Sequence, residues 1–174
     1  MHISTKTISS LLACAPLWLG ICGTAHAVDS TITVTATVVA DPCTVDTASQ
    51  KMNIDLGKLS AADLATAGTL SAKKDFGLTL NCPAGTTGVT YTFAGTADSS
   101  DTTSFKNEGT ASHVAVRLYQ SDGQAVISPG GKYVGSMNAT GGPVTHNFKT
   151  AVYSIGGVLP GTVKSTITVT MTYS

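Results

Sequence analysis

The stretch Thr166–Ser174 reads Thr-Ile-Thr-Val-Thr-Met-Thr-Tyr-Ser, and its alternation is strict. Ile167, Val169, Met171 and Tyr173 fall on one face, and Thr166, Thr168, Thr170 and Thr172 on the other. Period two is the signature of a strand with one face buried. The β-branch of threonine favours extension on the second face as well. A strand is therefore expected to run to the last residues without fraying. A second stretch of this kind lies near the other end, Thr31–Val39, with Ile32, Val34, Ala36 and Val38 on one face. Asp41-Pro42 breaks that run, and Cys43 follows.

Residues 1–27 are set aside before fold reasoning. Lys6 gives a weak positive start, an apolar run extends from Leu11 to Cys22, and Ala25-His26-Ala27 has the A-x-A form of a cleavage site. The apolar run is short for a membrane anchor and is broken by Pro16. Lipidation at Cys14, after Leu11-Leu12-Ala13, would leave a hydrophobic stub behind the lipid. A cleaved signal peptide is the expectation, and it makes the mature chain an exported one. Removing Lys6 from a chain with ten basic and ten acidic residues leaves a slight acidic excess. That balance supplies no basic field for nucleic acid.

Cys14 and Cys22 leave with the leader, so Cys43 and Cys82 remain. A pair of cysteines in an oxidising compartment reads as one disulfide. The spacing is not the C-x-x-C of a redox pair, and His113 and His146 are too few to complete an obvious metal site. No metal or cofactor is expected.

Between the two ends the chain reads as short strands and turns. Met52, Ile54 and Leu56 alternate, then Phe76, Leu78, Leu80 and Cys82, then Val89, Tyr91 and Phe93, then Val114, Val116 and Leu118. Asp122-Gly123 is a turn signal, and a short strand is expected around Lys132–Val134. Val144–Tyr153 is strand-like, with a slip near Phe148 that suggests a bulge. Ser60-Ala61-Ala62-Asp63 looks like the start of a short helix ending by Gly68. Thr96–Ser104 is a loop by composition. Seven or so strands with turn signals between them describe an antiparallel sandwich of one domain. No G-x-S-x-G, H-E-x-x-H or phosphate-loop pattern occurs, His113 and His146 each stand alone, and no enzyme activity is expected. No aromatic group forms a sugar-stacking platform, so host-glycan contact has no support in the sequence. The sequon Asn138-Ala139-Thr140 carries no weight without a eukaryotic context.

In this order the pieces resemble a known family. They are the leader, the arm Thr31–Val39, Val38-Val39-Ala40-Asp41-Pro42-Cys43-Thr44-Val45, Ile54-Asp55-Leu56-Gly57, Asn81-Cys82-Pro83, Phe93-Ala94-Gly95-Thr96-Ala97-Asp98, Lys106-Asn107-Glu108-Gly109-Thr110-Ala111 and the penultimate Tyr173. Together they are similar to pilins of the chaperone–usher pathway, in particular the minor, adaptor-like subunits of type 1 fimbriae. The resemblance implies an all-β, incomplete immunoglobulin-like sandwich, completed by a donor strand from another subunit through β-strand addition. It implies residues 1–27 as signal peptide, 28–40 as donor arm and 41–174 as pilin domain. Ile32, Val34, Ala36 and Val38 would be the donor face. Ile167, Val169, Met171, Tyr173 and the terminal carboxylate of Ser174 would belong to the acceptor strand and its chaperone-binding end. The implied partners are neighbouring pilus subunits, a periplasmic chaperone and an outer-membrane usher, and the implied place is a cell-surface fimbrium supporting adhesion. The family usually has glycine seven residues before the first cysteine. Ala36 stands there in this chain, and its methyl group requires a roomier neighbouring groove. The alternative functional reading is a receptor-binding adhesin or another secreted β-sandwich binding module.

Overall fold

The computed structural model describes residues 43–174. The expected leader, the arm at 28–40 and its face of Ile32, Val34, Ala36 and Val38 lie outside the described residues. Within them the chain forms β1 (Thr44–Val45), α1 (Thr47–Gln50), β2 (Lys74–Cys82), β3 (Gly88–Ala94), β4 (Phe105–Lys106), β5 (Ser112–Gln120), β6 (Val126–Ile127), β7 (Lys132–Ser136), β8 (Gly142–Leu159) and β9 (Thr168–Tyr173). All strand pairing is antiparallel. One sheet has the order β1-β2-β8-β5-β4, with β6 also paired to β5, and the other has the order β7-β3-β9.

The two sheets meet over a core made from the alternating residues. Leu78, Leu80 and Cys82 of β2, Val89, Tyr91 and Phe93 of β3, and Val116 and Leu118 of β5 are all buried. Phe148 of β8 is fully enclosed, with its ring centroid 5.2 Å from Phe93, 5.1 Å from Tyr133 and 5.6 Å from Phe76. The sandwich also buries part of an outer face. Ala115, Tyr119 and Ala151 turn away from the second sheet yet are covered. There Arg117 lies 3.5 Å over the Tyr153 ring and Lys73 lies 4.5 Å over Tyr119. Asp101, in the 96–104 loop, accepts hydrogen bonds from Ser104, Thr103 and Arg117. Burial alone would raise its pKa, but those donors outweigh it and hold the carboxyl well below the usual range.

Three local expectations are corrected. Met52–Leu56 forms no strand, and among the described residues 51–60 makes no backbone–backbone hydrogen bond. Ser60–Asp63 opens a series of turns, with bonds from Leu64 N to Ala61 O and from Ala65 N to Ala62 O, and not a helix. The small helix comes earlier, at Thr47–Gln50, where the Asp46 carboxylate accepts from Ala48 N. The β2–β8 register runs through Phe148 without a shift. The apparent slip arises because Ala151 and Val152 are both buried, one on each face. The irregularity lies instead in the β5–β8 pairing between Ser112 and Val114, where His113 has φ 59.

Cys43 and Cys82 form a disulfide that ties the start of the domain to the end of β2. It closes a loop of about 40 residues, which the chain-entropy treatment equates with roughly 4 kcal/mol. Urea unfolding with and without reductant should show a loss of about that size. An unchanged midpoint would mean that the cross-link does not restrain the unfolded chain.

Candidate functional site: an open strand edge over an apolar cleft

The strand β9 pairs with β3 along one side, and among the described residues it has no partner on the other. Gly88 and Ser174 exchange both backbone hydrogen bonds, at 3.0 and 3.1 Å. In an antiparallel ladder such pairs alternate, so Thr168, Thr170 and Thr172 turn their backbone groups to β3. Val169, Met171 and Tyr173 turn theirs to the open side. Period two gives the side chains the same division. Ile167, Val169 and Met171 are half-buried against the core, while the threonines face water.

The open edge borders a cleft of about 1540 Å³. Its floor is the inner face of the larger sheet, with Phe76, Leu78, Val114, Val116, Leu118 and Val152. One wall is the β9 stretch, including Tyr173. The opposite wall carries Met52, Ile54, Leu56 and Leu59. This wall is the stretch that alternates like a strand yet has no described strand partner. Met52 and Leu59 remain 41% and 38% exposed, high for side chains of their size. The sequence pointed to β9 and missed this facing wall as part of the site. Its alternation was visible, but nothing in the pattern said that these residues line a cleft.

At the far end of β9 a carboxylate oxygen of Ser174 accepts from Thr87 N at 2.9 Å, Gly88 N at 3.1 Å and Thr87 Oγ1 at 3.1 Å. The end of β9 is thus held in place by the residues that open β3.

The two histidines are separate and neither lines the cleft. The His113 ring bonds Gly157 O at 3.1 Å. His146, on β8, donates from Nε2 to Ser136 O at 3.2 Å. Its Nδ1 therefore accepts the Tyr91 hydroxyl, at 2.7 Å. Burial lowers the His146 pKa below its ordinary 6.5, opposed only in part by the bond to Ser136. The unfolded chain then takes up this proton first as pH falls. The contribution of His146 is fully present above pH 6.5 and is lost as pH drops from there through its lower folded value. Urea midpoints measured over roughly pH 5 to 8 should fall more steeply on the acid side for the native protein than for His146→Gln. Parallel profiles would show that His146 does not carry this dependence.

Comparisons with known proteins bear on the family and the fold. The family model described as "Fimbrial protein" matches residues 32–174. Protein FimG of Escherichia coli is 39% identical over 155 residues, covering 87% of this chain and 89% of FimG. The S-fimbrial adhesin protein SfaS of Escherichia coli is 35% identical over 150 residues, covering 86% and 88%. Among solved structures, a chaperone–usher pilus subunit superposes with a TM-score of 0.65 at 21% identity, covering 84% of this chain and 96% of that one. The P pilus rod subunit PapA superposes with a TM-score of 0.64 at 19% identity, covering 77% and 100%. At those identities the structural likeness speaks to the fold.

Proposed function

This chain belongs to the fimbrial protein family and is a structural pilus subunit, and we propose that it joins its neighbours by strand exchange through the cleft beside β9. One observation carries the reading. A strand edge with unpaired backbone groups runs along an apolar cleft open between two walls. An extended segment from another subunit supplies what is missing on both counts. Its backbone continues the ladder on β9, and its alternate side chains fill the cleft. Each aliphatic side chain fully buried there contributes roughly 1.5–3 kcal/mol. Several in a row make a joint that hardly dissociates.

The pattern of residues 28–40 supports their role as the donor, with Ile32, Val34, Ala36 and Val38 entering the cleft of the next subunit. Residues 1–27 act as the export signal, and 41–174 form the accepting domain. Before assembly a periplasmic chaperone covers the cleft, and an outer-membrane usher passes the subunit to the growing fibre. The Ser174 carboxylate is the chaperone's charged contact, through whichever lone pairs Thr87 and Gly88 leave free. The similarity to FimG supports a minor, adaptor-like position at the surface fimbrium.

Two oxidised forms of the protein test this: residues 41–174 alone, and the same residues with Thr31–Val39 appended after Ser174 through a flexible linker. The second should be monomeric and melt cooperatively at a much higher temperature. Met171→Asp should abolish most of that gain, since it places a carboxylate against the inserted strand. Equal melting of the two forms, with the shorter one already monomeric and cooperative, would refute the missing-strand reading.

A further inference from the structure

The accepting edge continues beyond β9. Residues 160–167 carry the chain from β8 to β9 without strand structure of their own, yet their backbone groups keep the alternation of a strand. Thr162 O accepts from Ala111 N at 3.0 Å, and Thr162 N donates to Thr110 Oγ1 at 2.9 Å. Lys164 O accepts from Glu108 N at 2.7 Å, and Lys164 N donates to Asn107 Oδ1 at 2.9 Å. The even-numbered residues therefore turn to the 107–111 loop, as Thr168, Thr170 and Thr172 turn to β3. Among the described residues Val163 N and Ser165 N have no hydrogen-bond partner, and both residues line the cleft.

Asn107 makes this continuity possible. Its Nδ2 donates to Ala111 O at 2.8 Å, while its Oδ1 accepts from Gly109 N at 3.0 Å as well as from Lys164 N. One side chain thus shapes the loop and stands in for the strand that would otherwise pair with Lys164. The approach is close enough to need glycine: a Cβ on Gly109 would lie 2.0 Å from Thr162 O, and one on Gly161 would lie 2.3 Å from Ala111 N.

We infer that Asn107, with Thr110, is a positioning residue for strand exchange: it holds Val163–Ile167 as an extension of β9, so that an incoming arm pairs along the whole edge from Val163 to Tyr173. This inference rests on the reading of the cleft as a strand acceptor. The occupant is the arm of a second subunit, of the chemistry of residues 28–40. Length supports this choice. At about 3.3 Å per residue the edge from Val163 to Tyr173 spans roughly 33 Å and β9 alone roughly 17 Å, while an arm of the length 28–40 reaches roughly 40 Å. Such an arm is matched to the extended edge and is more than twice as long as β9.

The test is amide hydrogen exchange on the full exported chain, alone and refolded with excess synthetic peptide of residues 28–40. The peptide should slow exchange at Val163 and Ser165 by at least about five- to tenfold, the effect of one net hydrogen bond, along with Val169 and Met171. In Asn107→Ala, and in the milder Thr110→Val, Val169 and Met171 should still be slowed while Val163 and Ser165 are not. Protection of the first pair shows that each variant is folded. If the peptide slows Val169 and Met171 but leaves Val163 and Ser165 unchanged in the native protein, the extended edge is wrong and the strand acceptor stands. Full protection of Val163 and Ser165 in both variants would likewise remove the role of Asn107. Should the peptide slow neither pair, the acceptor reading fails, and this inference fails with it.

Discussion

Every backbone amide and carbonyl removed from water needs a hydrogen-bond partner, and β9 meets that demand on one side only. This half-satisfied strand organises the molecule. Its even-numbered residues complete a ladder with β3, and their threonines face solvent. Its odd-numbered residues hold backbone groups that are unpaired among the described residues, over a row of side chains that are themselves only half-covered. Both deficits lie along the same line. A single extended segment can therefore relieve both, and a helix or a compact loop cannot.

The rest of the fold keeps that line open without letting the two sheets collapse onto each other. Phe148, ringed by Phe93, Tyr133 and Phe76, packs between the two sheets, and Phe76 and Phe93 carry this cluster to the wall of the cleft. The disulfide fixes Cys43 against the end of β2. At one end of the open edge the Asn107 loop ties residues 162–164 to the larger sheet. At the other, Thr87 and Gly88 hold Ser174. Among the described residues the strand is pinned at both ends and unsupported along one side, the geometry that the proposed strand exchange requires.

Period two made β2, β3, β5 and β9 legible in the sequence, because the inward face of each carries apolar residues at alternate positions, although β5 buries Ala115 and Tyr119 on its other face as well. The readings failed where another interaction took over from that pattern. Met52, Ile54 and Leu56 alternate, but among the described residues no strand lies beside them, and alternation reports a burial pattern without naming its partner. Val152 is buried on the inner face beside Leu64 and Val114, and Ala151 is buried on the outer face. Two-sided burial looked like a bulge, while the real register shift at His113 left no mark in hydrophobicity. The capping pattern at Ser60 leads only into turns closed by Leu64 N to Ala61 O and Ala65 N to Ala62 O, whereas the helix forms at Thr47–Gln50, where Asp46 does cap Ala48 N. Of the site, the inward face of β9 was readable. The role of Asn107 was not, because it depends on two segments far apart in sequence meeting within hydrogen-bonding distance.

The sheet edges argue that the opening beside β9 is a working feature. Soluble proteins blunt exposed edges with short strands, lysines, prolines or bulges. Among the described residues β1 and β4 are only two residues long, and β4 carries Lys106. The far edge of the smaller sheet, β7, is five residues long and begins with Lys132. From Thr166 to Ser174 there is neither a charged side chain nor a proline, and no bulge interrupts the β3–β9 register. Among the described residues, the edge at β9 has none of these guards, and it faces the apolar cleft. An edge left in that state would aggregate unless a strand were always supplied to it. Its absence of protection is therefore what the proposed strand exchange would require.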